Sequence, residues 1–339
     1  MELRKLGSSD IEIPPVVFGA WAIGGWFWGG TDDDGAVEAI RAGIDAGITA
    51  IDTAPMYGFG HSESVVGRAI KGRRDEVIVA TKCGLRWDVE KGEFFFTTED
   101  QSVTDPEESN KVRPVYRLLE RDSIIEECDL SLKRLGVDTI DLYQCHWPDS
   151  TTPLDETMEA MLRLREQGKI REIGVSNFTS EMMEKCLSIG PIVSDQPKYS
   201  LLAREIEEDV LPFCREHDLA TLVYSPLAQG LLTGKVTMER TFPEGDMRVN
   251  SPWYAPVNRK RVLDVLAKLS SMADDHGATL AQLVINWTVH EPGVTAAIVG
   301  GRNPAQVREN AGALDFTLSE DERRIIRAAF EDLGEPRDE

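Results

Sequence analysis

Short apolar runs alternate with amphipathic helical patterns eight times along this chain. The runs, in order, are VVFGA near Val16, ITAIDT, VIVATK, IDLYQCH, IREIGVS, PIVSDQ, LATLVYSP and GVTAAIVGG, and a helical pattern follows each of them, directly or after an interruption. Strands that alternate with helices are typical of a parallel sheet. Eight such units favour closure of the sheet over an open doubly wound arrangement. The sequence therefore predicts an α/β fold, a (β/α)8 TIM barrel.

Four segments lie outside this repeat. The first dozen residues are expected to form a small hairpin under the barrel, and the tail from Ser319 to Glu339 starts as a helix and ends polar. A long insertion from about Leu85 to Arg121 follows the third strand, and at that length it is either an active-site lid or partly disordered. A long loop from Leu231 to about Asn258 follows the seventh strand. Because no segment looks like an interdomain linker, residues 1–339 are expected to form a single domain.

The composition predicts a soluble globular protein of the cytoplasm. Charged residues make up 28% and hydrophobic residues 41% of the 339 residues, which is enough apolar content for a full core. No apolar run reaches the length of about 18 residues that a membrane helix needs, so no membrane association is expected. The start MELRKLGSSD lacks the apolar region of a secretory signal. Five cysteines, an odd number without CxxC spacing, fit reduced thiols in a cytoplasmic protein.

The chain is strongly acidic, with 37 basic and 59 acidic residues and a net charge of −22. Such a charge would repel the phosphate backbone, so no nucleic-acid partner is expected. A well-solvated surface explains most of this acidity. Adaptation to high salt is a second hypothesis, because salt screens the repulsion among the carboxylates. The remaining histidines are scattered, and the sequence predicts no metal site.

Four chemically distinct side chains follow the predicted strands. Asp52 closes ITAIDT, Tyr57 lies in the next turn, Lys82 closes VIVATK and His146 closes IDLYQCH. In a parallel barrel the carboxyl ends of the strands converge on one face, where catalytic residues lie. A nearby ammonium lowers the pKa of a phenol from its usual value of about 10, which makes Tyr57 a tunable general acid. Each residue alone could cap a helix or be solvated, but four at strand ends favour a shared site.

The segment DTAPMYGFGHSE, from Asp52 to Glu63, resembles the signature of the aldo-keto reductases. The later motifs VATK, YQCHWPD, GVSNF, YSPLAQGLLTGK and IVGGRNPAQVREN occur in the family's order, so the resemblance covers nearly the whole barrel. It implies a bacterial-type member, with channel β-subunits among its relatives. It also implies an enzyme that reduces aldehydes or ketones to alcohols by hydride transfer from NADPH, with NADH as an alternative cofactor. Tyr57 would protonate the carbonyl oxygen, Lys82 and Asp52 would tune it, and His146 would position the carbonyl.

The resemblance also implies which residues bind the cofactor. Ser176, Asn177 and Gln196 match positions that hold the nicotinamide carboxamide, and Tyr199 matches the aromatic residue that stacks on the nicotinamide ring. The matching pyrophosphate residues are Ser225, Leu227, Gly230, Leu232 and Lys235, and those at the adenosine end are Gly300, Arg302, Gln306, Glu309 and Asn310.

The chemistry of the adenosine end favours NADPH. The residues after Gly300 open a helix whose N-terminus attracts phosphate, and Arg302 adds a planar donor fork. Arg302 could instead stack on adenine, which either cofactor offers. Many members of the family also carry a larger or more basic residue in place of Gly300 and Gly301, and this departure weakens the preference for NADPH.

Aromatic residues in the loops at the same end of the barrel are expected to line the substrate pocket. They are Trp21, Trp26, Phe27, Trp28 and Trp147. A role in the core is the alternative for Trp21, whereas the glycines that flank Trp26 to Trp28 favour a loop. The substrate would be a small-molecule carbonyl, and the protein a monomer or a homo-oligomer.

Two other functions remain open from the sequence. A lysine at a strand end of a barrel could form a Schiff base, which would make the chain an aldolase with Lys82 as its nucleophile. That chemistry needs a neutral lysine, which Asp52 would oppose. The second alternative is a regulatory subunit that binds cofactor with little turnover, because channel-associated β-subunits resemble the same family.

Overall fold

A computed structural model of the protein describes residues 2–25, 27–28, 32–99, 112–242 and 245–337. Its strands, in chain order, are β1 (Arg4–Lys5), β2 (Glu12–Ile13), β3 (Val16–Gly19), β4 (Ala50–Asp52), β5 (Ile78–Cys83), β6 (Leu85–Arg86), β7 (Glu93–Glu99), β8 (Val112–Arg117), β9 (Ile140–Cys145), β10 (Ile170–Val175), β11 (Ser194–Asp195), β12 (Ala220–Tyr224) and β13 (Ala296–Gly300). Each of the eight predicted apolar runs contains one strand of the barrel.

The helices surround these strands. In chain order they are α1 (Asp33–Asp45), α2 (His61–Ile70), α3 (Arg121–Leu135), α4 (Leu154–Glu166), α5 (Ser180–Ile189), α6 (Val210–Glu216), α7 (Pro256–Asp275), α8 (Leu280–Val289), α9 (Pro304–Ala311) and α10 (Glu320–Glu331). Among the described residues, no helix is both long and apolar enough to span a membrane.

The barrel is closed and parallel, in the order β3-β4-β5-β9-β10-β11-β12-β13, and β13 pairs with β3 to complete the ring. This confirms the predicted (β/α)8 TIM barrel. A large apolar cluster fills the layer between the strands and the helices. A smaller cluster fills the inside of the barrel, where residues such as Val17, Ala50 and Leu142 meet.

The N-terminal hairpin lies under the barrel, as predicted. β1 and β2 pair antiparallel, and Leu6, Ile11 and Ile13 belong to the apolar cluster inside the barrel. The guanidinium of Arg4 donates hydrogen bonds to the carbonyl oxygens of Val289, Val294 and Thr295, at 2.7, 3.2 and 2.9 Å. The hairpin thus closes the end of the barrel opposite the carboxyl ends of the strands.

The insertion after the third barrel strand contains more regular structure than the sequence indicated. β6, β8 and β7 form a three-stranded antiparallel sheet. Residues 100–111, between β7 and β8, lie outside the described part of the chain. The length of the insertion predicted a lid or partial disorder. Its strands were not recognised, because GEFFF lacks the polar alternation of a half-buried strand.

Of two further segments, the C-terminal helix agrees with the prediction and α8 was not predicted. The tail begins as predicted, because the Ser319 side chain caps α10 and pairs reciprocally with Glu322 in a capping box. By contrast, α8 was missed. Its sequence LAQLVINWTV is buried at eight of ten positions, so it lacks the polar face on which helix recognition depends.

Candidate active site

The four residues predicted from strand ends meet at the carboxyl end of the barrel. Asp52 ends β4, Lys82 lies near the end of β5, and His146 follows β9 directly. These strands are neighbours in the order β4-β5-β9, which brings the three side chains together. The Nζ atom of Lys82 lies 2.6 Å from Asp52 Oδ1 and donates to the Tyr57 hydroxyl at 3.1 Å. The His146 ring meets the Tyr57 ring edge-on, with their centroids 5.7 Å apart.

Two buried glutamines hold the carboxylate of Asp52. Gln196 donates to Asp52 Oδ2 at 2.7 Å and Gln144 donates to the same oxygen at 3.3 Å. Gln196 also donates to the side-chain oxygen of Gln144 at 3.2 Å. The other oxygen, Oδ1, is thereby fixed toward Lys82. Sequence reasoning missed Gln144, although its place two residues before His146 puts both side chains on the same face of the strand.

Lys82 is a buried cation that is held in its charged form. Its side chain is fully buried, and burial works to lower its pKa, but Asp52 and Tyr57 raise the pKa above the usual lysine value. Lys82 also donates to the Thr53 carbonyl oxygen at 2.9 Å. All three donor positions of the ammonium are therefore in use, which fixes its place beside the phenol.

Tyr57 and His146 are both uncharged at neutral pH, so Tyr57 can donate a proton and His146 can donate a hydrogen bond. Burial raises the pKa of Tyr57 above its usual value, while the charge of Lys82 opposes this shift without cancelling it. Burial and the charge of Lys82 hold the pKa of His146 well below its usual value, so the imidazole is uncharged at neutral pH. A proton donor and a neutral hydrogen-bond donor thus face the same space.

These pKa shifts predict how the rate of carbonyl reduction depends on pH. If Tyr57 is the general acid that the sequence predicts, reduction needs its protonated form, and the rate should fall only as pH rises through a pKa above about 10. The acid limb should lie well below pH ~6.5, where His146 gains a proton. Steady-state kcat should therefore be flat across neutral pH. Alcohol oxidation by the same sample should rise with pH, and a reduction limb centred near pH ~7 would contradict this assignment.

The turn that carries Tyr57 depends on glycine. Gly58 has a φ of 68°, and a Cβ there would lie 2.2 Å from the carbonyl oxygen of Gly24. The close approach of these two backbone segments holds Tyr57 beside Trp21, whose ring stacks on it at 6.0 Å. Because Gly24 and Gly58 lack side chains, the backbones of the two loops pack directly against each other.

Gly58→Ala should displace this turn and reduce kcat by about 10²-fold, the typical effect of moving a catalytic group by about 1 Å. Gly72→Ala is the matched control, since Gly72 also has a positive φ of 81° but has open space around its Cβ position. Both variants introduce backbone strain, so their unfolding temperatures should both fall. Equal kcat values for the two variants would show that the contact with Gly24 does not position Tyr57.

A cavity of about 670 Å³ opens beside these residues. Asp52, Tyr57 and His146 line it. Twelve of the fourteen predicted cofactor residues also line it: Ser176, Asn177, Gln196, Ser225, Leu227, Gly230, Lys235, Gly300, Arg302, Gln306, Glu309 and Asn310. All five cysteines are buried and unbridged, and none of them lines this cavity. The described residues contain no group of three or more histidine, cysteine or acidic side chains that could hold a metal ion.

Tyr199 does not lie where the sequence analysis placed it. Its ring is buried and stacks on Trp287 at 6.0 Å, and its hydroxyl donates to Glu207. The tyrosine that lines the cavity beside the predicted nicotinamide residues is Tyr224, at the end of β12. Its hydroxyl donates to Asn177 Oδ1 at 3.0 Å. A position at a strand end, the criterion that identified Asp52 and Lys82, would have selected Tyr224.

Leu232 is the second predicted cofactor residue that does not line the cavity. It is fully buried in the main apolar cluster, whereas its neighbours Gln229, Gly230 and Thr233 line the cavity. Gln229 and Gly230 have positive φ values of 53° and 100°, and this left-handed stretch turns the following leucine away from the cavity. The pattern of residue types alone does not reveal such a reversal.

The residues after β13 are those predicted to bind the adenosine end of the cofactor. The side chain of Asn303 caps α9, and Gln306 accepts from the Arg302 backbone N–H at 2.9 Å. Lys235 forms an ion pair with Glu309, which joins the loop after β12 to α9. The other oxygen of Glu309, Oε1, is buried without a hydrogen-bond partner among the described residues. An amine or hydroxyl of a bound nucleotide would satisfy it.

Aromatic side chains form the remaining wall of the cavity. Trp21, Phe27, Trp28 and Trp147 line it as predicted, and Trp26 lies outside the described residues. Phe95 and Phe96 of β7 line it as well, and the sequence analysis did not assign them to the site. The aromatic cluster in GEFFF was their only sequence signal.

Known proteins are similar to this chain in both sequence and fold. The Bacillus subtilis aldo-keto reductase YhdN is 40% identical over 334 residues, 98% of this chain and 94% of that protein. The Escherichia coli NADH-specific methylglyoxal reductase is 37% identical over 98% of this chain and 99% of its own length. The structure of the glycerol dehydrogenase AKR11B4 from Gluconobacter oxydans matches with a TM-score of 0.85 and 37% identity, over 97% and 95% of the two chains.

Two further matches bear on cofactor and role. An aldo-keto reductase from Klebsiella pneumoniae in complex with NADPH matches with a TM-score of 0.69 and 31% identity, over 97% of this chain and 96% of that one. A probable voltage-gated potassium channel subunit beta of Arabidopsis thaliana is 31% identical over 93% of this chain and 92% of its own length. The model of the Aldo/keto reductase family matches residues 15–331. The chain therefore belongs to the aldo/keto reductase family.

Proposed function

We propose that this protein reduces aldehydes or ketones to alcohols with NADPH, and that Tyr57 is the general acid. One observation supports this above all others. The buried Lys82 ammonium lies 2.6 Å from Asp52 and 3.1 Å from the hydroxyl of Tyr57. Tyr57 itself lines a cavity that extends to the predicted nucleotide residues. An ammonium fixed at this distance stabilises the phenolate that proton donation leaves behind.

Each residue has a defined part in this mechanism. Bound NADPH supplies the hydride to the carbonyl carbon. Tyr57 donates its hydroxyl proton to the carbonyl oxygen, and Lys82 stabilises the resulting negative charge. Asp52, held by Gln144 and Gln196, keeps Lys82 charged and in place. The neutral imidazole of His146 orients the carbonyl by hydrogen bonding.

The preference for NADPH rests on charge at the adenosine end. Arg302 and Lys235 line that end of the cavity, and both can meet a phosphate. Lys235 is already paired with Glu309, so Arg302 is the principal candidate for the additional phosphate of NADPH. The E. coli relative is named as NADH-specific, which supports NADH as an alternative cofactor for this chain.

Titration with NADPH and with NADH, followed on tryptophan fluorescence, tests the proposal. 4-Nitrobenzaldehyde is then added, and loss of the absorbance of the reduced cofactor reports turnover. We expect tighter binding of NADPH, and turnover that depends on the aldehyde. Binding without turnover on a broad set of carbonyls would instead favour a regulatory role, and failure to bind either cofactor would contradict the proposal.

The aldolase alternative conflicts with the state of Lys82. A Schiff-base lysine must be neutral to attack a carbonyl, whereas the ion pair with Asp52 and the raised pKa of Lys82 favour the ammonium. Trapping of substrate on the protein by borohydride would reveal that chemistry if it occurred. The regulatory alternative has support from the channel-subunit relative, but the complete set of four catalytic residues favours an enzyme.

We also propose a cytoplasmic protein that is a single domain over residues 1–339 and is a monomer or homo-oligomer. A well-solvated surface explains most of the net charge of −22, and adaptation to high salt is the second hypothesis. Melting temperatures that fail to rise from dilute to molar salt would remove the salt hypothesis. Sedimentation would establish the oligomeric state.

A further inference from the structure

The second strand of the insertion contains an irregularity beside the active site. Phe94 pairs with Tyr116 and Phe96 pairs with Val115, so β7 advances two residues while β8 advances one. Phe95 is the extra residue of this β-bulge. Bulges bend a strand and redirect side chains, and they are frequent beside active sites.

The bulge turns two consecutive phenylalanines toward the same space. In a regular strand, neighbouring side chains point to opposite faces. Here Phe94 is 57% exposed to solvent, while Phe95 and Phe96 both line the active-site cavity. Without the extra residue, one of these two rings would face away from the cavity.

Phe95 packs beside the residue that follows His146. Its ring centroid lies 5.3 Å from that of Trp147, with an interplanar angle of 55°. The guanidinium of Arg117 lies 4.0 Å from the centroid of Phe95 and 5.4 Å from that of Trp147. A cation over two aromatic faces stabilises both rings in place.

The bulged strand is also fastened to the loop that follows β9. Glu93, in β7, forms an ion pair with Arg117 at 3.1 Å and accepts from the backbone N–H and the hydroxyl of Ser150 at 3.1 and 2.8 Å. Ser150 lies four residues after His146 in the chain. The contacts of Glu93 with Ser150, and the short chain segment from Ser150 back to His146, therefore hold Phe95 in place relative to His146.

We propose that Phe95 and Trp147 form an aromatic slot that selects carbonyl compounds bearing a planar apolar group such as an aryl ring. This inference rests on the proposed function and specifies its substrate class. Met56 and Leu85, buried in the same cluster, extend the apolar wall. An aryl ring can pack against these rings and lose its contact with water, whereas a methyl group in the same place covers little of the wall.

Phenylacetaldehyde and propanal test the slot, because they differ only in a phenyl or a methyl group beyond the same CH₂–CHO unit. We expect kcat/KM of the protein with NADPH to favour phenylacetaldehyde by about 10- to 100-fold. Phe95→Ala should remove most of this preference, because kcat/KM for phenylacetaldehyde should fall far more than kcat/KM for propanal. Phe95→Leu, which keeps apolar bulk, should give an intermediate preference.

Phe94→Ala is the matched control, since it removes an identical side chain from the solvent-exposed position next to the slot. It should leave the preference unchanged. NADPH binding on tryptophan fluorescence establishes that each variant is folded. Equal kcat/KM values for the two aldehydes, or equal losses for both aldehydes in Phe95→Ala, would overturn the slot.

Binding of the corresponding alcohols distinguishes failure of the slot from failure of the proposed function. 2-Phenylethanol should bind about 10-fold or more tightly than 1-propanol, and Phe95→Ala should weaken only the former. Turnover of neither aldehyde with this binding preference intact would contradict the reductase proposal and support the slot. Turnover of both aldehydes without a binding preference would support the reductase proposal and contradict the slot.

Discussion

Replacement of Tyr57 by phenylalanine is expected to lower kcat for carbonyl reduction by about 10²- to 10⁴-fold, the usual contribution of a positioned general acid. The variant removes one oxygen, which donates the proton and accepts from Lys82 at 3.1 Å. The phenyl ring retains its contact with Trp21. Because the nucleotide residues lie elsewhere in the cavity, NADPH affinity should be nearly unchanged. Single-turnover rates and fluorescence titration measure the two quantities separately.

Tyr116→Phe provides the control for this prediction. Tyr116 lies in β8 of the insertion, where its ring meets Phe94, and it does not line the cavity. Loss of that hydroxyl should leave kcat unchanged. A Tyr57→Phe variant with ordinary turnover would show that another group donates the proton, and a variant that no longer binds NADPH would make Tyr57 a cofactor residue.

Lys82→Met should damage both activity and stability. Activity should fall by about 10²-fold or more, because the developing phenolate loses its only ion-pair partner of opposite charge among the described residues. The side chains of Lys82 and Asp52 are 0% and 3% exposed, so the substitution leaves a buried carboxylate without a cation. Removing one partner of a buried pair typically costs about 3–5 kcal/mol of unfolding free energy. Chemical denaturation at neutral pH measures this loss.

A double variant separates the two effects. Asp52→Asn combined with Lys82→Met removes both charges, so it should recover much of the stability lost in Lys82→Met alone. It should not recover kcat, because Tyr57 still lacks the ammonium. If Lys82→Met were as stable as the unaltered protein, the pair would not be ionised in the folded state. If the double variant regained kcat, the ammonium would have no role in catalysis.

The sequence predicted side-chain positions best for residues at the ends of barrel strands. Asp52, Lys82 and His146 were expected to meet because each closes an apolar run, and parallel strands bring their carboxyl ends together. The structure places these three side chains and Tyr57 side by side, while their catalytic roles stay a prediction. Gln144 and Phe95 escaped notice, since their roles depend on which face of a strand each side chain occupies. For Phe95 that face depends on a bulge, which the sequence GEFFF does not specify.

The errors in the cofactor wall have a related cause. Tyr199 and Tyr224 are both aromatic residues near predicted strand ends, but only Tyr224 lies in a strand of the barrel itself. Leu232 follows a backbone reversal at Gln229 and Gly230 that periodicity does not register. Residue type and order predicted which segments surround the cavity, whereas local backbone handedness determined which side chains reach it.

The hairpin beneath the barrel has a consequence for synthesis on the ribosome. Arg4 is made 285 residues before Val289, whose carbonyl oxygen it binds together with those of Val294 and Thr295. The hairpin cannot complete these contacts until that distant segment has left the exit tunnel. Its apolar residues Leu6, Ile11 and Ile13 must therefore remain unburied, or find temporary partners, throughout elongation. Nascent chains that stall before residue 289 should present this segment to chaperones.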